Sequence, residues 1–404
     1  MKRSHLEKIF AWLTILTMQT VYMKISNSIV DLLLSGALVV VGVLMISEDG
    51  KVRYKFLVVK NLLINILTFL SVPVMQILFV THEFNYNATL LIVVLCTVLF
   101  SVGVLYFSQN KDSIENYLEN FTDAVCFITV CSLILYLTGQ VFHMIAPTSK
   151  VTIDWGGRIS VDSYFWLLFT PQAHSGYHSF RAGRFTGIFT EAPMCSFALC
   201  CALIQILFVS KKKIVYWKIA VLLIAIYISV STTGYIIATA AIALYILQKK
   251  SRSVFLRKLK IVAIPFALGI SCFVVYRLYT QKALLDVASV RIRDQNFNNA
   301  MQHFLRSPLW GNGFKSDTVG STGGDTSVLS QVLQNGGILF AIWYFSPIIV
   351  VLCRYIKEKN WNYSIAILLY IAMLYVTVVT YTPLSILIVS LFFVLMQRRT
   401  PRKI

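Results

Sequence analysis

The stretch Ala88-Thr-Leu-Leu-Ile-Val-Val-Leu-Cys-Thr-Val-Leu-Phe-Ser-Val-Gly-Val-Leu-Tyr-Phe107 runs without a single charge. As an α-helix rising about 1.5 Å per residue it reaches about 30 Å, the thickness of a bilayer's hydrocarbon core. Similar runs recur on both sides of it, near 9–24, 29–46, 56–80, 121–146, 188–209, 214–230, 233–247, 261–279, 338–352, 361–381 and 383–397. That makes about twelve candidate spans. The pairs in 214–247 and 361–397 are short. The chain is 57% hydrophobic and only 13% charged, with a mean hydropathy of +0.72. A soluble domain could not cover that much apolar side chain. The expected fold is therefore all-α, a single polytopic transmembrane domain over 1–404. The first run follows Met1-Lys-Arg-Ser-His-Leu-Glu-Lys8 with no small-residue cleavage site behind it, so it reads as an anchor.

A net charge of +19 would suit a nucleic-acid binder, but its distribution argues against one. The loops alternate. One set holds Lys2, Arg3, Lys8, the cluster around Lys51, Lys211 to Lys213, the cluster Lys249 to Lys260, Arg354 to Lys359 and the basic C-terminus. It carries more than twice the Lys and Arg of the other set. Positive loops stay in the cytoplasm, so both termini are expected inside a plasma membrane and most of the charge meets anionic lipid. The eight cysteines lie within or at the ends of apolar runs, which implies no disulfide framework.

Two loops, about 147–187 and 280–337, are long, and the charge count puts both outside. Long loops of this kind tend to carry function. In the second, Phe297, Met301, Phe304 and Leu305 repeat at helical spacing until Ser307-Pro308 stops the helix. A further helix is expected from Asp325, a good N-cap, to Gly337. On the inner side, Ile114, Tyr117, Leu118 and Phe121 suggest an interfacial helix before the fifth run.

The first loop ends in Arg181-Ala-Gly-Arg184-Phe-Thr-Gly-Ile-Phe-Thr-Glu191-Ala-Pro193. Arginine presents a planar fork suited to phosphate. Glu191 lies near the outer end of a span, where it either pairs with Arg184 or Arg181 or contacts substrate. Arg291 and Arg293 are either solvated, paired with Asp294 or Asp286, or ligands for an anion. Asp325 follows the flexible run Gly320-Ser-Thr-Gly-Gly324, and a carboxylate there can cap a helix, act as a base, or do both. His174 and His178 stand four apart with no evident third metal ligand, so no metal site is expected. An outward cavity with several arginines suits a large anionic ligand.

Arg184-Phe-Thr-Gly-Ile-Phe-Thr-Glu-Ala-Pro193 resembles a segment of bacterial O-antigen and capsular polysaccharide polymerases (Wzy-type) and the related O-antigen ligases. Ser231-Thr-Thr-Gly-Tyr235 is similar to a second element. Arg293, Ser307-Pro-Leu-Trp-Gly-Asn-Gly313 and Asp325 through Leu339 resemble the large outer loop of these families, in their order. The resemblance covers roughly 180–350. It implies a GT-C-type membrane glycosyltransferase acting on undecaprenyl-pyrophosphate-linked glycan, with a flippase and a chain-length regulator as partner proteins. It implies that Arg184 and Arg293 hold the pyrophosphate, with Arg291 the near alternative to Arg293. Asp325-Thr326 stands where the ligases commonly carry His-Asn. Asp325 would then be the general base, and neither nucleotide sugar, metal nor other cofactor would be required. The rival readings are a ligase and a flippase without chemistry.

Overall fold

The computed structural model describes residues 3–26, 29–48, 56–79, 86–110, 112–155, 157–172, 183–249, 269, 276, 287–314, 327–377 and 379–398, and only the backbone at 48, 86–88 and 287–294. It is predominantly helical. Among the described residues, six helical stretches are long and apolar enough to cross a bilayer: Val30–Ser47, Phe56–Phe79, Thr89–Gln109, Ser113–Val141, Ala192–Val209 and Val328–Lys357. This is a membrane protein. Four apolar helices are shorter, and they form the hairpins that the weak pairs in 214–247 and 361–397 anticipate.

In chain order the helices are α1 (Arg3–Leu16), α2 (Val30–Glu48), α3 (Phe56–Phe79), α4 (Tyr86–Gln109), α5 (Ser113–Leu135), α6 (Ala192–Ile204), α7 (Tyr216–Ser229), α8 (Thr232–Gln248), α9 (Val287–Arg306), α10 (Val328–Lys357), α11 (Trp361–Val376) and α12 (Pro383–Gln397). Two of them end in a wider π turn, α5 through Tyr136–Val141 and α6 through Gln205–Val209.

Hydrogen bonds sort the helix ends onto two faces. Arg3 Nη2 donates to Gln109 Oε1 (3.1 Å) and Ser113 Oγ (3.3 Å). Gln109 Nε2 donates to Ile46 O, and Arg398 Nη2 donates to Phe107 O and Asn110 O. Arg354 donates to Leu395 O, Met396 O and Arg398 O. The two described ends of the chain therefore share one face, called here the terminal face. At the opposite, loop face, Val21 N donates to Ile188 O (2.9 Å) and Thr89 Oγ1 donates to Phe314 O (2.9 Å). The two long loops thus meet the bundle on one side.

The described part of the first long loop carries regular structure over 149–169. It folds as a three-stranded antiparallel sheet, β1 (Ser149–Asp154), β2 (Arg158–Tyr164) and β3 (Leu168–Phe169), with Val151 opposite Val161 and Ser163 opposite Phe169. Alternation explains it. Val151, Ile153, Val161 and Phe169 are buried around Val21, while Lys150, Thr152 and Asp154 point away. The expected interfacial helix at Ile114 to Phe121 is also corrected. It is the first part of α5, with Tyr117 and Phe121 buried in the main core. Its amphipathic spacing reflects packing on protein rather than on lipid.

Candidate functional site

The loop face is assembled from the segments that the sequence singles out. Arg184-to-Pro193 acts as a buried strut. Phe185, Thr186, Ile188, Phe189, Thr190 and Ala192 are almost wholly buried. Phe169 N donates to Gly187 O (2.9 Å) and Thr186 Oγ1 donates to Phe169 O (2.9 Å), which ties the strut to β3. Thr190 N and Oγ1 both donate to Gln19 O. Within the strut Arg184 and Glu191 are the half-exposed charges.

Arg184 has a structural task. Its Nε donates to Ser229 O (3.1 Å) and its Nη2 to Val230 O (2.9 Å). Val230 is the left-handed C-cap of α7, with φ 49°. A guanidinium there satisfies orphan carbonyls and complements the negative end of the helix dipole. Glu191 occupies the N-cap position of α6 in extended geometry, with Pro193 in the first turn. Cys195 N donates to Glu191 O, and Gln172 Oε1 accepts from Ala192 N.

Ser231-Thr-Thr-Gly-Tyr235 turns the chain from α7 into α8. Ser231 is the N-cap and accepts from Gly234 N (3.3 Å). At Gly234 an added Cβ would lie 2.9 Å from Ser196 Oγ, so the glycine lets α8 close on α6. Ser196 Oγ and Ser229 Oγ share a hydrogen bond of 2.9 Å beside it.

The Ser307-to-Phe314 turn is a clip in a broken helix. Gly337, with φ 64° and ψ −162°, interrupts α10 inside an apolar stretch. Such a break leaves backbone groups without their helical partners, and buried ones must be satisfied in another way. The clip takes them up. Asn312 N donates to Gln334 O (2.9 Å) and Gly313 N to Asn335 O (3.1 Å). Ile338 N donates to Pro308 O (2.9 Å) and Leu339 N to Leu309 O (3.1 Å). Gly311 and Gly337 make the approach possible. A Cβ on either would sit 2.5 Å from backbone atoms of the other segment. From α3, Gln76 Nε2 donates to Trp310 O and Asn335 O, and Phe79 stacks on Trp310 at 4.8 Å between centroids. Phe314 is buried against Phe69, Phe340 and Tyr381.

The site residues thus fall into two groups on one face. Arg184 and Glu191 belong to the strut. Arg291 and Arg293 lie on α9, which packs on α10, and only their backbone is described. Arg181 and Asp325 lie outside the described residues, as do His174 and His178. Among the described residues no group of three or more His, Cys, Asp or Glu is placed to hold a metal. The cap of α10 is Ser327, whose side chain accepts from Ser330 N (3.1 Å). The expectation that the helix opens at Asp325 is corrected to that extent: α10 starts at Val328.

Sequence reasoning missed a polar cluster around Asn335. Asn335 Nδ2 donates to Tyr381 Oη (2.9 Å). Near it, Gln76 Oε1, Gln331 Oε1 and Thr380 Oγ1 are buried and lack partners among the described residues. Unsatisfied acceptors of this kind are costly unless a ligand or water supplies donors. The one available signal was Gln76, a polar residue inside the run 56–80. Elsewhere on the face, Tyr22 donates its hydroxyl to Trp166 O, and burial pushes that hydroxyl's pKa up to about 12, so it stays a donor.

Compared with protein-family models, curated proteins and solved structures, the chain matches none.

Proposed function

We propose that this protein is a membrane glycosyltransferase of the GT-C type that polymerises undecaprenyl-pyrophosphate-linked repeat units into surface polysaccharide. One observation carries the reading. The motifs that resemble the polymerases, scattered from 184 to 339, meet as pairs on one face. Arg184 bonds the carbonyls directly before Ser231, and the Ser307-to-Phe314 clip closes on Gln334 to Leu339. The acceptors near Asn335 that lack partners among the described residues add support, because a polyhydroxylated substrate brings many O–H donors.

In this reading the loop face is external, since the lysine-rich loops occupy the terminal face. The reading takes about twelve crossings. Eleven described helices alternate between faces, and Lys249 and the clip lie at opposite ones. Arg184 with Arg291 or Arg293 steadies the charge that builds on the departing pyrophosphate. Asp325 takes the proton from the attacking sugar hydroxyl as its oxygen bonds to the donor's anomeric carbon. Membrane lipid surrounds the bundle, and a flippase and a chain-length regulator are the expected partners.

The decisive experiment is deletion of the gene followed by electrophoresis of the surface glycan. A lost ladder with the single lipid-linked unit retained supports the polymerase. A lipid-linked polymer that never reaches its acceptor means a ligase, and a unit trapped inside means a flippase. A flippase should line its path with span-borne charge. Here Asp31 and Lys60 are exposed on the outside of the bundle, and Lys218 pairs with Asp123. Arg277 lies outside the described residues.

A further inference from the structure

The terminal face holds a cleft that the glycan chemistry does not use. It opens between α5, the π turn that ends α6 and the segment leading into α7. Glu119, Asp123, Gln205, Lys212, Lys213 and Lys218 are among its lining, and its volume is about 90 Å³. Glu115, Glu119 and Asp123 recur every four residues along one side of α5, and each meets a lysine. Lys211 Nζ lies 2.6 Å from Glu115 Oε2, Lys212 Nζ bonds Glu119 Oε2, and Lys218 Nζ lies 2.5 Å from Asp123 Oδ1.

Two groups are left over. Glu119 uses only Oε2, and its Oε1 is buried without a hydrogen-bond partner among the described residues. Lys213 forms no ion pair among the described residues, although it lines the same cleft. A buried carboxylate oxygen calls for a donor. A spare ammonium calls for an anion. The cleft also has a recognisable depth. Val215, Tyr216 and Trp217 are exposed at the start of α7, and aromatic side chains at a span's end mark the headgroup layer.

We propose that this cleft is a binding site for a phospholipid headgroup. The phosphodiester lies on Lys213, and an N–H or O–H of the headgroup donates to Glu119 Oε1. Phosphatidylethanolamine and phosphatidylglycerol carry both features. Phosphatidylcholine has the phosphodiester but no such donor. The site stands whether or not the loop face makes polysaccharide.

The full-length protein, purified in detergent, is equilibrated with mixed micelles of these three lipids in equal parts, and the retained lipid is counted by native mass spectrometry. Ethanolamine or glycerol lipid should be retained about fivefold over choline lipid, and Lys213→Ala should reduce that retention by a similar factor. Lys213 is a loop lysine in no ion pair among the described residues, so an unchanged thermal midpoint confirms that the variant is folded. Millimolar inorganic phosphate should leave the lipid in place. Equal retention of choline lipid, no effect of Lys213→Ala, or displacement by free phosphate would each overturn the proposal.

Discussion

Arg184 shows why a site residue and a structural residue are not exclusive. Its two hydrogen bonds close the end of α7, and charge-assisted bonds of this kind are worth about 1.5–3 kcal/mol. Arg184→Ala should therefore lower the thermal midpoint as well as abolish long glycan. Arg184→Lys separates the two roles. It keeps the charge at the helix end but loses the planar fork, so most of the stability should return while chain length stays short. Full polymer length in the lysine variant would reduce Arg184 to a helix cap. Asp325→Asn is the informative change there, because asparagine can still cap a helix but cannot serve as a base. Polymerisation should fall at least about a hundredfold, the usual worth of a general base, with no change in thermal midpoint. Wild-type polymer in that variant removes Asp325 from the mechanism. His303 supplies a pH test. Burial, and then the nearby Arg306, lower its pKa below the ordinary 6.5. The folded state thus binds fewer protons than the unfolded one, so its contribution to stability is full above about pH 6.5 and falls as pH drops through the lowered value. The acid loss of thermal midpoint should shrink in His303→Gln.

Elements were legible to different degrees. The long apolar helices follow from run length alone. The sheet at 149–169 is legible in principle from the alternation of Val151, Ile153 and Val161, but run length, which marks the spans, is silent inside a polar loop. The start of α5 was misplaced for another reason. An apolar stripe at helical spacing looks the same against lipid and against protein, and only the tertiary contacts of Tyr117 and Phe121 tell them apart. The broken helix was half legible. Asn335-Gly-Gly337 signals a bend, but nothing in a single sequence says that Ser307-to-Phe314 supplies the missing partners. The clip predicts a sharp penalty. Gly337→Ala puts a methyl 2.5 Å from Leu309 O at a positive φ, and strain alone costs on the order of 1–3 kcal/mol. Lost expression or a much lower thermal midpoint is expected, and a wild-type midpoint would show that the clip does not hold the break.

For the whole molecule, the two faces turn topology into a labelling experiment. Met144 is 75% exposed at the loop face, whereas the native Cys353 is exposed near the terminal end of α10. In intact cells, Met144→Cys should react with a membrane-impermeant maleimide, and Cys353 should not until the membrane is opened. The opposite pattern would invert the orientation and with it the access to lipid-linked glycan. Of the site, the strut and the turn were legible as motifs, because each breaks an apolar pattern with arginine, proline or glycine. The cluster near Asn335 was not, because its members lie on α3, on α10 and in the segment before α12, far apart in sequence.

That separation has a consequence for biosynthesis. Gln76 waits for Trp310, 234 residues later, and for Asn335, 259 residues later. At about 5–20 residues per second, translation leaves the α3 amide without these partners for on the order of ten to fifty seconds. During that interval α3 is a poorly satisfied guest of the insertion machinery. A nascent chain truncated before residue 310 should be cleared by membrane quality control faster than one that ends just after 340.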